Sequence, residues 1–274
     1  MTSSVEGAIN TLGSAERLWW VTVIVCIIAL AVMGLVQRFD ARLLGGESVW
    51  TKPSKFAISI AIHFASIALA VHWLAPSLRL SPAMTALAAL SAAAASFEIG
   101  YIALQAARAM PSHFNTSSLG YRMLWSLMGF AAVVMLAPMA VVGVLAMTDD
   151  TAPWPPAVRT GIALGMAGSA LLTLVIGFRI GANMSHFVGV PPGIDRHVAL
   201  FGWSLHGADL RPSHFLATHM AQAIPLAALV IARPLPGFAG QSVVAALALA
   251  WTALTLLIFG NALSGRSLAD LLGA

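Results

Sequence analysis

Long apolar blocks alternate with short polar punctuation along this chain, and seven of the blocks are long enough to cross a bilayer as helices. They run approximately over 19–36, 56–75, 83–107, 121–146, 158–180, 215–231 and 239–260. Helix is the form they must take, because only a helix satisfies its own backbone in hydrocarbon at this block length. Proline marks most of the breaks: Pro53, Pro76, Pro82, Pro111, Pro153, Pro155, Pro156, Pro191, Pro192, Pro234 and Pro236. The segment PPGIDRHVALFGWSLHGADLRP is too interrupted for an eighth span and is expected at the membrane interface.

Composition agrees with this pattern. Of 274 residues 59% are hydrophobic and 9% charged, too few charges to cover a water-soluble domain of this size. The expected fold class is therefore an all-α polytopic bundle forming a single integral membrane domain in the bacterial inner membrane, with the lipid bilayer as its solvent. The first residues lack a basic n-region and a small-residue cleavage site, so the first block reads as a retained span. The single cysteine, Cys26, excludes a disulfide framework and a thiolate cluster. Net charge is +4, but the basic residues stand singly at block ends, which gives no nucleic-acid surface.

The placement of those residues predicts orientation. Arg38, Arg42, Lys52, Lys55, Arg108, Arg122, Arg179, Arg196, Arg211 and Arg266 fall on one side of a seven-span arrangement, against Arg17, Arg79, Arg159 and Arg233 on the other. The positive-inside rule then puts the C-terminus in the cytoplasm and the N-terminus outside.

The expected cytoplasmic side also carries a repeated phrase. ARAMPSHFN, IGANMSHFVG and LRPSHFL each contain SHF, giving His113, His186 and His214, with Arg108, Arg179 and Arg211 close before them. Related local roles are one reading; an ordinary helix cap beside an interfacial imidazole is the other. Within the spans, Ser91, Glu98 and Gln105 recur every seven residues and share a helix face, with Tyr101 less than a turn away. Glu98 is the only acid inside any span so drawn, and an intramembrane carboxyl must find a partner or hold a proton. His63 in the second span and His219 with Gln222 in the sixth lie at comparable depth.

The stretch GADLRPSHF followed by THMAQAIP resembles a recurring pattern in bacterial polytopic integral membrane proteins: an acid and an arginine before a proline–histidine turn, then histidine, glutamine and proline in the next helix. The matching residues are Asp209, Arg211, His214, His219, Gln222 and Pro225. YIALQAARAMPSHFN is similar to another segment of such proteins and adds Gln105, Arg108, His113 and Asn115. The resemblance implies which residues matter; it implies no activity.

Three functions fit. In the first, His63, Glu98, Gln105, His219 and Gln222 form one cavity open to the cytoplasm and rimmed by the SHF segments, His186 included. There His63, His219, His113 and His214 would hold a cofactor, either haem b or a zinc or copper ion, for redox or metal-assisted chemistry. Zinc would take His63, Glu98 and His219 with a water as fourth ligand, and Glu98 and His219 are the catalytic candidates. The second is a proton-coupled carrier of a small molecule or ion, with Pro138 and Pro225 opening helices locally. The third is a sensor or an assembly subunit with a membrane-protein partner. A phosphate-cradling GxxxxGK[ST] loop and an HExxH zincin motif are absent, and the last span has no lysine for a retinal Schiff base.

Overall fold

A computed structural model describes residues 12–192, 196–198 and 201–273. Residues 1–11, on which the retained-span reading partly rests, and 193–195 and 199–200 of the expected interfacial segment lie outside them. The chain is an all-α polytopic membrane helix bundle. Its seven long apolar helices are α1 (Ser14–Val36), α2 (Thr51–Val71), α4 (Pro82–Ala107), α5 (Leu119–Thr148), α6 (Pro156–Asn183), α7 (Arg211–Ile231) and α8 (Gly237–Leu263). The described residues also form two short helices, α3 (Pro76–Arg79) and α9 (Leu268–Leu272), and two antiparallel strand pairs, Leu43–Leu44 with Glu47–Ser48 and His197–Val198 with Trp203–Ser204.

All seven expected spans are present, and the differences lie at their ends. Proline supplies a fixed φ and lacks only an N–H that the first helical turn leaves unpaired anyway. Pro76, Pro82 and Pro156 accordingly start helices. Pro53 falls inside the first turn of α2 rather than in a break, so Lys52 belongs to the membrane helix. Helix α1 begins at Ser14, five residues before the expected Trp19, and brings Glu16 into the span completely buried. Glu98 is therefore not the only acid within a membrane helix.

The chain divides into two compact units, 1–138 with 149–153, and 139–148 with 154–274. In the first, α1, α2 and α4 pack together. Glu16 anchors one end of this packing: its carboxylate accepts from the Gly13 backbone N–H at 2.6 Å and from Arg79 Nη1 at 3.1 Å, and meets His72 Nδ1 at 2.8 Å. Trp19 Nε1 donates to Ser91 Oγ at 3.0 Å, deeper between α1 and α4. Asp149 Oδ2 accepts from the Ala75 N–H at 2.7 Å. In the loop after α1, Arg42 forks onto Asp40 and also donates through Nη1 to the Ala107 carbonyl at 3.0 Å, where α4 ends and partial negative charge collects. The Asp40 carboxyl sits far below the ordinary range because Arg42 and Trp50 both donate to it.

In the second unit α6, α7 and α8 enclose a core of Ile176, Ala217, Met220, Ile224, Ala228 and Val244. Close approach of α6 to α7 depends on glycine: a Cβ at Gly165 would stand 2.7 Å from Pro225 Cδ, and one at Gly161 would stand 2.5 Å from Ala228 Cβ. Ser169 Oγ sits 2.7 and 2.9 Å from the Ala217 and Thr218 carbonyls and donates to both as a shared bond. Trp251 Nε1 donates to the Leu216 carbonyl at 2.8 Å and ties α8 to α7.

Candidate functional site

The seven-residue spacing on α4 does what the pattern predicts: Ser91, Glu98 and Gln105 are all buried, and so is Tyr101. Two of these side chains are incompletely satisfied. Glu98 Oε1 and the Tyr101 hydroxyl have no hydrogen-bond partner, although the residues are only 3% and 8% exposed. Tyr101 has Gln105 as a polar neighbour one turn on, but its hydroxyl does not reach hydrogen-bonding geometry. The Gln105 amide is already engaged: Nε2 donates to the Pro111 carbonyl at 3.3 Å, and Oε1 accepts from Arg108 Nη1 at 3.4 Å. Each unpaired buried polar group costs about 1–3 kcal/mol.

The surroundings carry charge and aromatic surface. Lys52, in the first turn of α2, lies within electrostatic range of both Glu98 and His113. His113 packs against Phe56 and Trp125 with ring centroids 5.4 and 5.3 Å apart, and its Nδ1 lies 3.1 Å from Ser112 Oγ. Burial first, and the Lys52 charge second, hold the His113 imidazole well below the usual histidine pKa, so it is neutral at physiological pH. Phe97 stacks on Tyr101, and Phe56 and Leu124 close the cluster that Tyr101 forms with Ile102 and Met128. Asn115 shapes the loop beneath: Nδ2 donates to the Pro111 carbonyl at 3.4 Å, and Oδ1 accepts from Ser117 Oγ at 2.7 Å.

His63 is already engaged within this unit. Pro138 has no N–H for the carbonyl four residues back, that of Val134, and the neighbouring Met135 carbonyl accepts from His63 Nε2 at 2.9 Å. The acceptor fixes the tautomer, with the proton on Nε2.

The second unit carries the remaining candidates. His219 Nδ1 lies 3.2 Å from Gln222 Oε1, and its ring packs on Phe215 at 4.2 Å. Phe215 meets Phe201 and Trp203 edge-on, and those two rings stack at 4.4 Å. His214 is in electrostatic contact with His219, and its buried Nδ1 has no hydrogen-bond partner. Asp209 and Arg211 act as a fastener: the buried Asp209 carboxylate accepts the Arg211 fork at 2.6–3.0 Å and the Ser204 N–H at 3.0 Å, while Arg211 Nη2 donates to the Gly202 carbonyl at 2.9 Å. They bind Gly202 and the 203–204 strand to the start of α7.

The three SHF phrases fold in three ways. His113 lies in a loop that also holds Ala109 and Phe114 at φ of +52° and +57°. His186 follows the left-handed cap Met184, and its carbonyl accepts from the Leu210 N–H at 2.8 Å. His214 stands in the first turn of α7, where Ser213 Oγ donates back to the Leu210 carbonyl. Three residues do not set a backbone; their distance from a helix end does.

His63, Glu98, Gln105, Arg108, His113 and Asn115 thus fall in the first unit, and His186, Asp209, Arg211, His214, His219 and Gln222 in the second. Among the described residues no three His, Cys, Asp or Glu side chains gather as a set for one metal ion. Lys52 and Tyr101 are the additions that sequence reasoning passed over as site residues. For Lys52 the signal was WTKPSKF, since a proline tolerated in a first helical turn puts the preceding lysine inside the helix. Compared with protein-family models, curated proteins and solved structures, the chain matches none.

Proposed function

We propose that the chain is a multi-pass bacterial inner-membrane protein that binds a small polar solute beside Glu98 and couples its binding to protonation of that carboxyl, as a proton-coupled carrier does. One observation carries this reading: Glu98 Oε1 and the Tyr101 hydroxyl, one turn apart on α4, are buried and unpaired within reach of Lys52's charge. Buried polar groups in folded proteins are nearly always satisfied, so such a pair suits a site whose hydrogen bonds are completed by a ligand. A carboxyl in a membrane helix also exchanges one charge for none on taking a proton, which is the elementary step of proton coupling. Vesicles containing the protein and a pH-sensitive dye test this when offered amino acids, amines, carboxylates and sugars. Solute-driven proton movement lost in Glu98→Gln and kept in Ser96→Ala, an exposed α4 serine whose hydroxyl donates to the Ala92 carbonyl, supports the reading. Its absence for every solute, with the protein folded, overturns it.

A second reading has its own observation. His214, with its unpaired Nδ1, and His219 lie close together beside the Phe201, Trp203 and Phe215 rings, a setting suited to a haem or a metal ion held by imidazole for redox chemistry. An absorption spectrum and elemental analysis of gently purified protein separate the two. A Soret band lost in His219→Ala, or stoichiometric zinc or copper, would favour the cofactor.

A further inference from the structure

Resting on the solute-site reading above, we infer that the site around Glu98 takes a small zwitterion, with its anionic group on Lys52 and its ammonium on Glu98 and Tyr101. Charge and unfilled hydrogen bonds together select such a ligand. Lys52 is a donor only, and from the first turn of α2 it lies within electrostatic range of the Glu98 carboxyl and the His113 ring. Glu98 Oε1 is an acceptor with nothing to accept, and the Tyr101 hydroxyl one turn further is free to accept as well. With His113 neutral, Lys52 and the ionised form of Glu98 are the opposite charges of the site.

Each simpler ligand fails at one of these groups. A plain anion satisfies Lys52 and is repelled by Glu98. A plain amine satisfies Glu98 and is repelled by Lys52. An uncharged apolar molecule leaves both the carboxyl oxygen and the hydroxyl unpaired. A ligand with both charges answers both residues and keeps the site neutral, which matters in a membrane interior where uncompensated charge is costly. Stacked Phe97 and Tyr101, with Phe56 nearby, add aromatic faces that favour an ammonium. Carboxylate recognition by a lone Lys52 is that of a point charge, so the acid group's position along the chain would be read more loosely than the ammonium's.

Matched molecules test the inference on the purified full-length protein in nanodiscs. Glycine, L-alanine and L-leucine are compared with their decarboxylated amines (methylamine, ethylamine, 3-methylbutylamine) and with their deaminated acids (acetate, propionate, 4-methylpentanoate). Binding is read by thermal shift and by the change in intrinsic tryptophan fluorescence. At least one zwitterion should bind tenfold or more tightly than its own amine and acid. Lys52→Met should bring the amine level with the zwitterion, and Glu98→Gln should do the same for the acid. Tyr101→Phe, which keeps the ring, should weaken the zwitterion without altering the preference. If an amine or an acid equals its zwitterion in the unsubstituted protein and Glu98→Gln abolishes its binding, the charge rule is overturned and the Glu98 site stands. Should none of the nine bind while vesicles still show Glu98-dependent, solute-driven proton movement, the zwitterion is again overturned and the solute-site reading survives. If both binding and proton movement are absent, the two fall together.

Discussion

Tyr101→Phe should make the ligand-free protein more stable, the reverse of what removing a tyrosine hydroxyl usually does. The hydroxyl is buried and unpaired, and the ring stacks on Phe97 and packs with Ile102 and Met128, contacts that phenylalanine retains. Removing an unsatisfied buried group relieves about 1–3 kcal/mol of desolvation cost, whereas removing a bonded hydroxyl loses about 0.5–1.5 kcal/mol. For a chain of this size each kcal/mol moves the unfolding midpoint by about 2–4 °C, so the expected rise is roughly 2–12 °C. Thermal unfolding followed by size-exclusion chromatography in detergent, with no added solute, measures it. The same variant should lose part of its solute affinity, the exchange of function for stability that active sites impose. A fall of about 2 °C or more would mean that the hydroxyl is a structural donor to Gln105, and would remove the main support for a site at Glu98.

Further outcomes follow from the packing and the charges. Gly165→Ala should destabilise the second unit by about 1–3 kcal/mol, since its Cβ would meet the Pro225 ring and the Met220 carbonyl, whereas Gly100→Ala, with open space around it, should not; midpoints in detergent compare them. Stability should fall as pH drops through 6.5, the ordinary histidine value, because the unfolded chain takes up a proton that buried His113 refuses; about a pH unit above 6.5 the ring is neutral in both states and the slope is gone. The loss approaches about 1.4 kcal/mol per pH unit for this one group, and unfolding midpoints between pH 7.5 and 5 should show a shallower dependence in His113→Gln. Asp209→Asn should loosen the pairing of 197–198 with 203–204 and speed hydrogen exchange at Ser204 while leaving the α4 site's solute binding intact. Tags should be reached from outside at the N-terminus and from the cytoplasm at the C-terminus, and cysteine labelling near Lys52 from outside would reverse that orientation.

The seven spans were legible because an apolar block of this length has one satisfactory backbone form in hydrocarbon. Their ends were not, since a polar residue at a block edge reads as loop even when it belongs to the helix. Glu16 shows why: its charge argues for the outside of the span, and the side chains that make its burial tolerable, His72 and Arg79, lie more than fifty residues on. The Glu98–Gln105 face was legible from its period, which is a property of one helix. Lys52's approach to that face was not, because it depends on how α2 packs on α4. The SHF repeat did not make its three backbone settings legible, since identical letters sit in a loop, after a left-handed cap and inside a helix.

The Glu16 cluster also orders events during synthesis. The carboxylate emerges near the start of the chain, while the side chains that meet it arrive only with His72 and Arg79. Until then the first hydrophobic helix carries an acid that lipid does not tolerate, and it has reason to stay near the headgroups or under the care of the insertion machinery. Its final seating is therefore expected late despite its early position, once the second helix and the turn beyond it are in place. A nascent chain halted before residue 72 should hold its first segment loosely, and one released after residue 79 should grip it.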